Sequence, residues 1–359
     1  MATAKVAIKR SNKTVTITEG KYKGLMAVSD KRGVIRAAAM DQRGSLQKSI
    51  AKAKNVDPSQ ITPEMMSEFK VAVSKVLTPH ATAILLDPEF GLKAVKARAK
   101  NAGVLLAYEQ TGYDQTTPGR VPTLIPYYSV SRLIEDDGDC VKILLYYTPD
   151  EDAHVNEIKK AFVRRIGAEC AHYDVPYFLE FVGYEAKGGD EKTAEYAKKK
   201  AWIVQKSMEE FSTPEYLVDM LKVEIPVNMQ FVDGARSFKQ GNTPAYTRKE
   251  AIKLLQGTAK VAKKPFIYLS AGVSDDEFRD GLELAAEAAT PFSGVLCGRA
   301  TWKDGIPVYA NEGGKALEAW LRTRGVQNIT ALNKVLDGTA QSWLDFYGGK
   351  KFVKVAKKK

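Results

Sequence analysis

Eight short apolar runs, separated by stretches with helical signals, constrain the fold of this chain more than any other feature. Each run is apolar on both faces, which is typical of parallel β-strands covered by helices on either side. Because parallel strands need long crossover connections, the alternation predicts repeated βα units. The runs cover residues 34–40, 82–86, 104–108, 141–146, 177–181, 221–225, 266–269 and 294–297.

The stretches between the runs carry their own helix signals. Thr62-Pro63-Glu64 predicts a helix start, with proline at the first helical position. Thr247 with Glu250, and Ser274 with Glu277, have the spacing of capping boxes. One further stripe, at spacings of three and four, predicts the buried face of another helix. It consists of Val155, Ile158, Phe162, Ile166 and Cys170.

Eight strands alternating with helices predict an α/β fold with a single (β/α)8 TIM barrel over residues 26–347. The first run is not followed by a Gly-x-Gly-x-x-Gly turn, which argues against a dinucleotide-binding sheet. Residues 313–324 and 329–343 are predicted to form a C-terminal helical extension that closes the barrel. The segment 109–127 is rich in glycine and proline, and we expect it to form a loop that partly roofs the site.

The net charge of +11 comes from the two ends of the 359-residue chain. Residues 1–25 carry six basic residues and one glutamate, and residues 348–359 carry six lysines. We expect a basic N-terminal extension and a solvated Lys-rich tail on a formally neutral barrel, with no nucleic-acid partner. The chain has no apolar run of membrane-spanning length and no signal-peptide core, so we predict a cytoplasmic protein without a membrane partner. A homo-oligomer is compatible with the sequence.

Lys222 lies in the apolar run 220–226 and is the strongest chemical signal in the chain. Burial lowers the pKa of an amine, and a neutral amine can attack a carbonyl to form a Schiff base. A second lysine, Lys142, lies on another apolar strand, and a neighbouring ammonium acts in the same direction as burial. Glu180, in Tyr-Phe-Leu-Glu-Phe, is a candidate proton shuttle. The structural alternative is a buried ion pair between Lys222 and Glu224, which point the same way along the strand.

Other strands also end in polar groups, and in TIM barrels the chemistry lies at the carboxyl ends of the strands. Ser270-Ala271-Gly272 and Gly298-Arg299 follow the last two strands, where backbone N–H groups and a guanidinium suit a phosphate. The dipole of the helix that starts near Ser274 is also expected to favour a phosphate there. The three histidines, His80, His154 and His172, have no ligand spacing, so we predict no metal cofactor and no other cofactor. A Mg²⁺ site built from Asp41, Asp87 and Glu180 stays open as an alternative.

These stretches together resemble the bacterial class I tagatose 1,6-bisphosphate aldolases of lactose and galactose metabolism. The similarity extends over most of the predicted barrel, across residues 33–343. The stretches that carry it are residues 40–44 (Met-Asp-Gln-Arg-Gly), 84–91, 102–109, 141–147, 221–229 (Leu-Lys-Val-Glu-Ile-Pro-Val-Asn-Met), 268–274 and 294–302.

The resemblance implies a metal-independent lyase whose small-molecule substrate is a sugar phosphate. It implies that Lys222 forms the Schiff base, that Glu180 is the general acid/base and that Lys142 is a second active-site lysine. It further implies that Asp41 is a fourth catalytic residue near the ketose hydroxyls. Contacts to the ketose and its phosphate are implied for Gln42, Ser270, Gly272, Gly298 and Arg299. The implied reaction cleaves tagatose 1,6-bisphosphate, and also fructose 1,6-bisphosphate, to dihydroxyacetone phosphate and glyceraldehyde 3-phosphate. Two alternatives stay open: a sulfofructose 1-phosphate aldolase, and a non-catalytic regulatory protein that senses sugar phosphates.

Overall fold

A closed barrel of eight parallel strands forms the centre of the protein, as the sequence predicted. The computed structural model describes residues 14–113 and 116–358. Each barrel strand pairs with its neighbours in sequence, and the last pairs with the first. The strands are β2 (Ile35–Ala39), β3 (Ala83–Leu86), β4 (Gly103–Ala107), β5 (Cys140–Tyr146), β6 (Tyr177–Val182), β7 (Met220–Glu224), β8 (Phe266–Leu269) and β9 (Gly294–Cys297).

Helices surround the barrel and continue beyond its last strand. Thr62 caps α3 through the backbone N–H of Met65, and Thr247 forms the complete predicted capping box. The described helices are α1 (Glu19–Ala27), α2 (Gly44–Lys54), α3 (Pro63–Leu77), α4 (Leu92–Ala97), α5 (Val130–Glu135), α6 (Ala153–His172), α7 (Ala194–Phe211), α8 (Arg248–Lys260), α9 (Asp275–Glu287), α10 (Arg299–Trp302), α11 (Ile306–Glu312), α12 (Gly314–Trp320), α13 (Val326–Thr339) and α14 (Trp343–Phe346). None of the helices in the described ranges is both long enough and apolar enough to cross a membrane.

The buried face of α6 differs from the predicted stripe. Ile158 is 39% exposed, whereas Lys159 is fully buried and donates a hydrogen bond to the Tyr184 hydroxyl at 2.8 Å. Asn156 is also buried and donates to the carbonyl of Thr148 at 3.1 Å. The helix is therefore rotated relative to the apolar stripe, because two polar side chains find hydrogen-bond partners in the interior.

Inward-facing side chains change from apolar to charged along three adjacent strands. Cys140, Phe178 and Met220 are fully buried in the apolar core inside the barrel. Side chains alternate along a strand, so the residues two positions later face inward as well, one layer nearer the carboxyl ends. Those residues are Lys142, Glu180 and Lys222, and the register pairs Glu180 directly with Lys222. The strands thus place a charged layer directly on an apolar one.

The two ends of the described chain pair with each other outside the barrel sheet. Strand β1 (Val15–Thr18) pairs in parallel with β10 (Val353–Ala356), so parts of the predicted basic extension and tail form a two-stranded sheet. Leu25 of α1 joins Trp343 in the apolar core inside the barrel, and Lys21 forms an ion pair with Asp219 at 2.7 Å. The first thirteen residues of the predicted extension, and Lys359, lie outside the described residues.

Candidate active site

Two lysines and a shared glutamate form the centre of the site. Lys142 Nζ and Lys222 Nζ each lie 2.8 Å from the same oxygen, Oε2 of Glu180. Lys142 is fully buried and also contacts Asp41 Oδ2 at 2.8 Å and Glu109 Oε1 at 2.9 Å. The structure therefore brings together all four residues predicted to be catalytic, and it adds Glu109.

The carboxylates around Lys142 determine its charge. Burial opposes the charged form of Lys142, but the carboxylates of Asp41, Glu109 and Glu180 raise its pKa well above the usual value. Burial likewise opposes the ionised form of Asp41, but the charges of Lys142 and Lys222 hold its pKa below the usual range. Burial raises the pKa of Glu109, against the opposing pull of Lys142. Lys142 is thus held as an ammonium among three carboxylates.

Glu224 does not form the ion pair with Lys222 that the structural alternative required. Its Oε1 atom lies 3.0 Å from Lys200 Nζ, and its Oε2 atom accepts a hydrogen bond from the Gly183 backbone at 2.9 Å. The two side chains lie on the same face of β7, but Glu224 is one layer further up and meets α7 instead. Within the described residues, Glu180 is the carboxylate at ion-pair distance from Lys222.

The loop after β2 carries Asp41 and Gln42 towards the last strand. The Gln42 side-chain amide donates to Asp41 Oδ1 at 3.2 Å, whereas its carbonyl oxygen is buried without a hydrogen-bond partner among the described residues. A β-carbon on Gly298 would lie 3.2 Å from Gln42 Nε2 and 3.0 Å from the Ala39 carbonyl, so glycine allows this close approach. Gln42 therefore lines the cavity with one side-chain hydrogen bond made and its carbonyl oxygen buried.

The residues predicted to bind phosphate lie together on one side of the cavity. Val273 N–H donates to the Ser270 carbonyl at 3.0 Å, closing a tight turn in which Ala271 and Gly272 both have positive φ. The Arg299 guanidinium packs against this turn, and a β-carbon on Gly272 would lie 2.7 Å from Arg299 Cζ. The first turn of α9 is acidic, so its carboxylates oppose the attraction that the helix dipole was expected to exert on a phosphate.

Asp87 does not join Asp41 and Glu180, so the Mg²⁺ alternative lacks one of its three proposed ligands. It is fully buried and forms an ion pair with Lys70, at 2.5 Å between Asp87 Oδ2 and Lys70 Nζ. Across residues 14–113 and 116–358, no group of three or more His, Cys, Asp or Glu side chains is arranged to hold a metal ion.

Most of these groups line a cavity of about 960 Å³ at the carboxyl ends of the strands, whereas Lys142, Lys70 and Asp87 are not among its lining residues. The predicted loop after β4 contributes to its wall, as expected. Arg120 of this loop forms an ion pair with Glu191 at 2.8 Å and lies over the ring of Tyr146, 5.4 Å from its centroid. Further cations on the wall are Lys48, Lys192, Lys200 and Lys239.

Two charged residues of the site, Glu109 and Arg43, have no role in the sequence predictions. Glu109 follows β4, and its contact with Lys142 depends on the neighbouring strand β5. Arg43 is buried between Glu89 Oε2 at 2.7 Å and Glu109 Oε1 at 3.5 Å. The arginine of Asp-Gln-Arg, directly after a buried strand, was the available signal for a carboxylate partner, because arginine is rarely buried without one.

Comparison with known proteins identifies relatives over nearly the whole chain. The family described as DeoC/LacD family aldolase matches residues 35–304. The tagatose 1,6-diphosphate aldolase of Listeria monocytogenes is 49% identical over 344 residues, covering 96% of this chain and 99% of the relative. Tagatose 1,6-diphosphate aldolase 2 of Enterococcus faecalis is 50% identical over 329 residues, covering 92% and 97%.

Solved structures share the fold at much lower sequence identity. A fructose-bisphosphate aldolase from Plasmodium falciparum superposes with a TM-score of 0.64 at 13% identity, covering 93% of this chain and 99% of that chain. A Schiff-base-forming fructose-1,6-bisphosphate aldolase has a TM-score of 0.50 at 14% identity, covering 87% and 98%. At these identities the likeness establishes the barrel fold.

Proposed function

This chain belongs to the DeoC/LacD family of aldolases, and on that premise we propose that it is a class I tagatose 1,6-bisphosphate aldolase. The reaction would cleave the ketose bisphosphate to dihydroxyacetone phosphate and glyceraldehyde 3-phosphate in the cytoplasm. The observation that carries the proposal is the pair of buried lysines on one glutamate oxygen, at 2.8 Å each. Such an arrangement supplies an amine nucleophile beside an acid/base and a fixed positive charge.

Lys222 is the nucleophile in this proposal, because Lys142 is the poorer candidate. Three carboxylates surround Lys142 and raise its pKa, so its nitrogen lone pair stays protonated. Lys222 contacts one of them, and losing its proton to Glu180 leaves a neutral amine that can attack the ketose carbonyl. Attack forms a C–N bond, and loss of water from the carbinolamine then gives the iminium ion. That ion accepts the electron pair released when the C3–C4 bond breaks.

Glu180 is placed to carry protons for Lys222. After accepting the lysine proton it can return it to the carbinolamine hydroxyl, which leaves as water. Asp41 has a lowered pKa and is therefore ionised, so it can accept a hydrogen bond or a proton from the C4 hydroxyl as the bond cleaves. The Lys142 ammonium holds both carboxylates in place and stabilises negative charge that develops between them.

Positive charge on opposite sides of the cavity supports a substrate with an anionic group at each end. Arg299 follows β9 beside the Ser270–Gly272 turn, and Arg120 lies over Tyr146 at the end of β5. Strands β5 and β9 are four positions apart in the closed ring of eight, so they stand on opposite sides. We assign the first phosphate to Ser270, Gly272, Gly298 and Arg299, and the sugar hydroxyls to Asp41 and Gln42.

Borohydride trapping tests the proposal directly. Incubation with dihydroxyacetone phosphate and borohydride should add one reduced triose phosphate, and peptide mass spectrometry should locate it on Lys222. Lys222→Ala should not be labelled, whereas Lys239→Ala, which removes another cavity lysine, should be labelled like the native protein. Labelling of Lys142, or continued labelling of Lys222→Ala, would overturn the assignment.

Turnover of a substrate panel tests the choice of sugar. Tagatose 1,6-bisphosphate should have the highest kcat/KM, with fructose 1,6-bisphosphate also cleaved. A higher value for sulfofructose 1-phosphate would show that the far end of the cavity recognises a sulfonate instead.

A further inference from the structure

A second buried ion pair lies outside the lysine–glutamate cluster, between α3 and the end of β3. Lys70 and Asp87 are both fully buried, and their charged atoms are 2.5 Å apart. The Asp87 carboxylate is oriented by its own turn, because its Oδ1 atom accepts a hydrogen bond from the Phe90 backbone at 2.8 Å. A lysine on the inner face of a helix packed against a barrel is normally disfavoured, because its charge must leave water.

The Lys70 ammonium also holds the backbone on both sides of Asp41. It donates hydrogen bonds to the carbonyl of Met40 at 2.6 Å and to the carbonyl of Gln42 at 2.9 Å. An ammonium has three N–H donors, and the two carbonyls accept hydrogen bonds from two of them, while the Asp87 carboxylate lies at ion-pair distance. The backbone path of residues 40–42 is therefore fixed from behind, on the side away from the cavity.

The same β3 turn supports the loop a second time. Glu89, two residues after Asp87, lies 2.7 Å from Arg43, whose other contact is Glu109. Asp87 therefore pairs with Lys70, which binds the backbone of residues 40 and 42. Glu89 pairs with Arg43, the next residue of the loop that carries Asp41. Asp41 in turn contacts Lys142 at 2.8 Å.

We propose that Lys70 and Asp87 are positioning residues that hold the Asp41 carboxylate against Lys142 and towards the bond to be cleaved. This inference rests on the proposed aldolase function. Replacing both partners of a buried ion pair by apolar residues is often neutral for stability, so such a pair is better explained by the single geometry that it fixes. Lys70 does not line the cavity, so its removal should leave the Schiff-base chemistry of Lys222 intact. Steps that use Asp41 should slow, because small misplacements of a reacting group have large effects on rate.

The test compares Lys70→Met with Lys75→Met, which removes an exposed lysine on the same helix that pairs with Glu318 at 3.0 Å. We expect Lys70→Met to lower kcat for tagatose 1,6-bisphosphate at least tenfold, about 1.4 kcal/mol. Its KM should change less than about threefold, and borohydride trapping of dihydroxyacetone phosphate should match the native protein. Lys75→Met should match the native protein in all three measurements. If folded Lys70→Met has the same kcat as the native protein, Lys70 has only a packing role and the inference is wrong.

A double-mutant cycle tests whether Lys70 acts through Asp41. Adding Lys70→Met to Asp41→Asn should cause no further loss of kcat, whereas an independent, multiplicative loss would contradict the inference. If Lys70→Met does not fold because Asp87 stays buried without its cation, the double variant Lys70→Met/Asp87→Leu, which removes both charges, takes its place in both experiments with the same expected outcomes. Failure of the native protein to cleave the bisphosphate or to trap the triose would refute the aldolase function itself. Native cleavage and trapping, with kcat unchanged in the variants, would refute the positioning role alone.

Discussion

Replacing Lys142 with methionine should destabilise the protein strongly, because three buried carboxylates would lose the ammonium that lies between them. Asp41, Glu109 and Glu180 lie 2.8, 2.9 and 2.8 Å from Lys142 Nζ. Removing one partner of a buried ion pair typically costs about 3–5 kcal/mol, since an uncompensated charge stays behind. Methionine has a similar length and flexibility, so the loss of charge dominates the change.

Protonation of a carboxyl group limits this loss and makes it depend on pH. A glutamate with an ordinary pKa near 4.3 takes up a proton at pH 7 at a cost of about 4 kcal/mol, and at pH 5 of about 1 kcal/mol. The native state of the variant would then bind a proton that its unfolded state lacks, so its stability rises as the pH falls. In the native protein the lowered pKa of Asp41 contributes stability that persists until the pH falls below about 4. The difference between the two proteins should therefore shrink between about pH 7 and pH 5.

Urea denaturation at these two pH values measures the effect. We expect Lys142→Met to lose about 4 kcal/mol at pH 7 and about 1 kcal/mol at pH 5. Lys75→Met is the control, because its exposed pair with Glu318 is worth at most about 1 kcal/mol. If the two variants lose equal stability, or if the deficit of Lys142→Met is the same at both pH values, the assignment of Lys142 as the fixed charge among these carboxylates is wrong.

Three further predictions concern phosphate binding, metal dependence and a buried lysine outside the site. Arg299→Ala should raise KM for the bisphosphate at least about tenfold, because a charge-assisted contact is worth roughly 1.5–3 kcal/mol. A substrate without that phosphate should be cleaved as before, and equal losses on both would contradict a phosphate contact. Dialysis against a strong chelator should leave turnover unchanged, because the Schiff base accepts the electron pair. A loss restored by Zn²⁺ or Mg²⁺ would refute this mechanism. Burial lowers the pKa of Lys159 from 10.5 to about 8, so the charged form opposes folding at neutral pH. Relative to Lys159→Met, the native protein should gain up to about 3 kcal/mol between about pH 7 and pH 11, measured by denaturation. A flat difference would contradict the burial argument.

The barrel and its two lysines could be predicted because their sequence signals are local. Strands covered on both faces are apolar throughout, so Lys142 and Lys222 stand out within them. Glu180 was recognisable for the same reason. The partners of these residues were harder to predict, because they depend on strand register and on loops. Glu109 contacts Lys142 from the neighbouring strand. The residues around Glu109 in the sequence do not indicate which cation it contacts.

Polar residues that are buried for structural reasons explain most of the differences. The α6 stripe placed Ile158 inside because it contains apolar residues only, yet Lys159 is buried and donates a hydrogen bond to a tyrosine hydroxyl. Asp87 was grouped with Asp41 because both follow strands, although a helical lysine occupies the space beneath them. Each case depends on a contact between residues that are far apart in the sequence, which periodicity alone does not report.

The parallel pairing of β1 with β10 determines when the fold can be completed during synthesis. Val15 pairs with Val353, so the first described strand finds its partner only after 338 further residues (353 minus 15) have been made. At about 5–20 residues per second, translation takes on the order of tens of seconds to reach that point. Until then Ile17 and Leu25, which belong to the core inside the barrel, lack the C-terminal part of their packing. A ribosome-bound chain should therefore expose this apolar segment to chaperones for most of its synthesis.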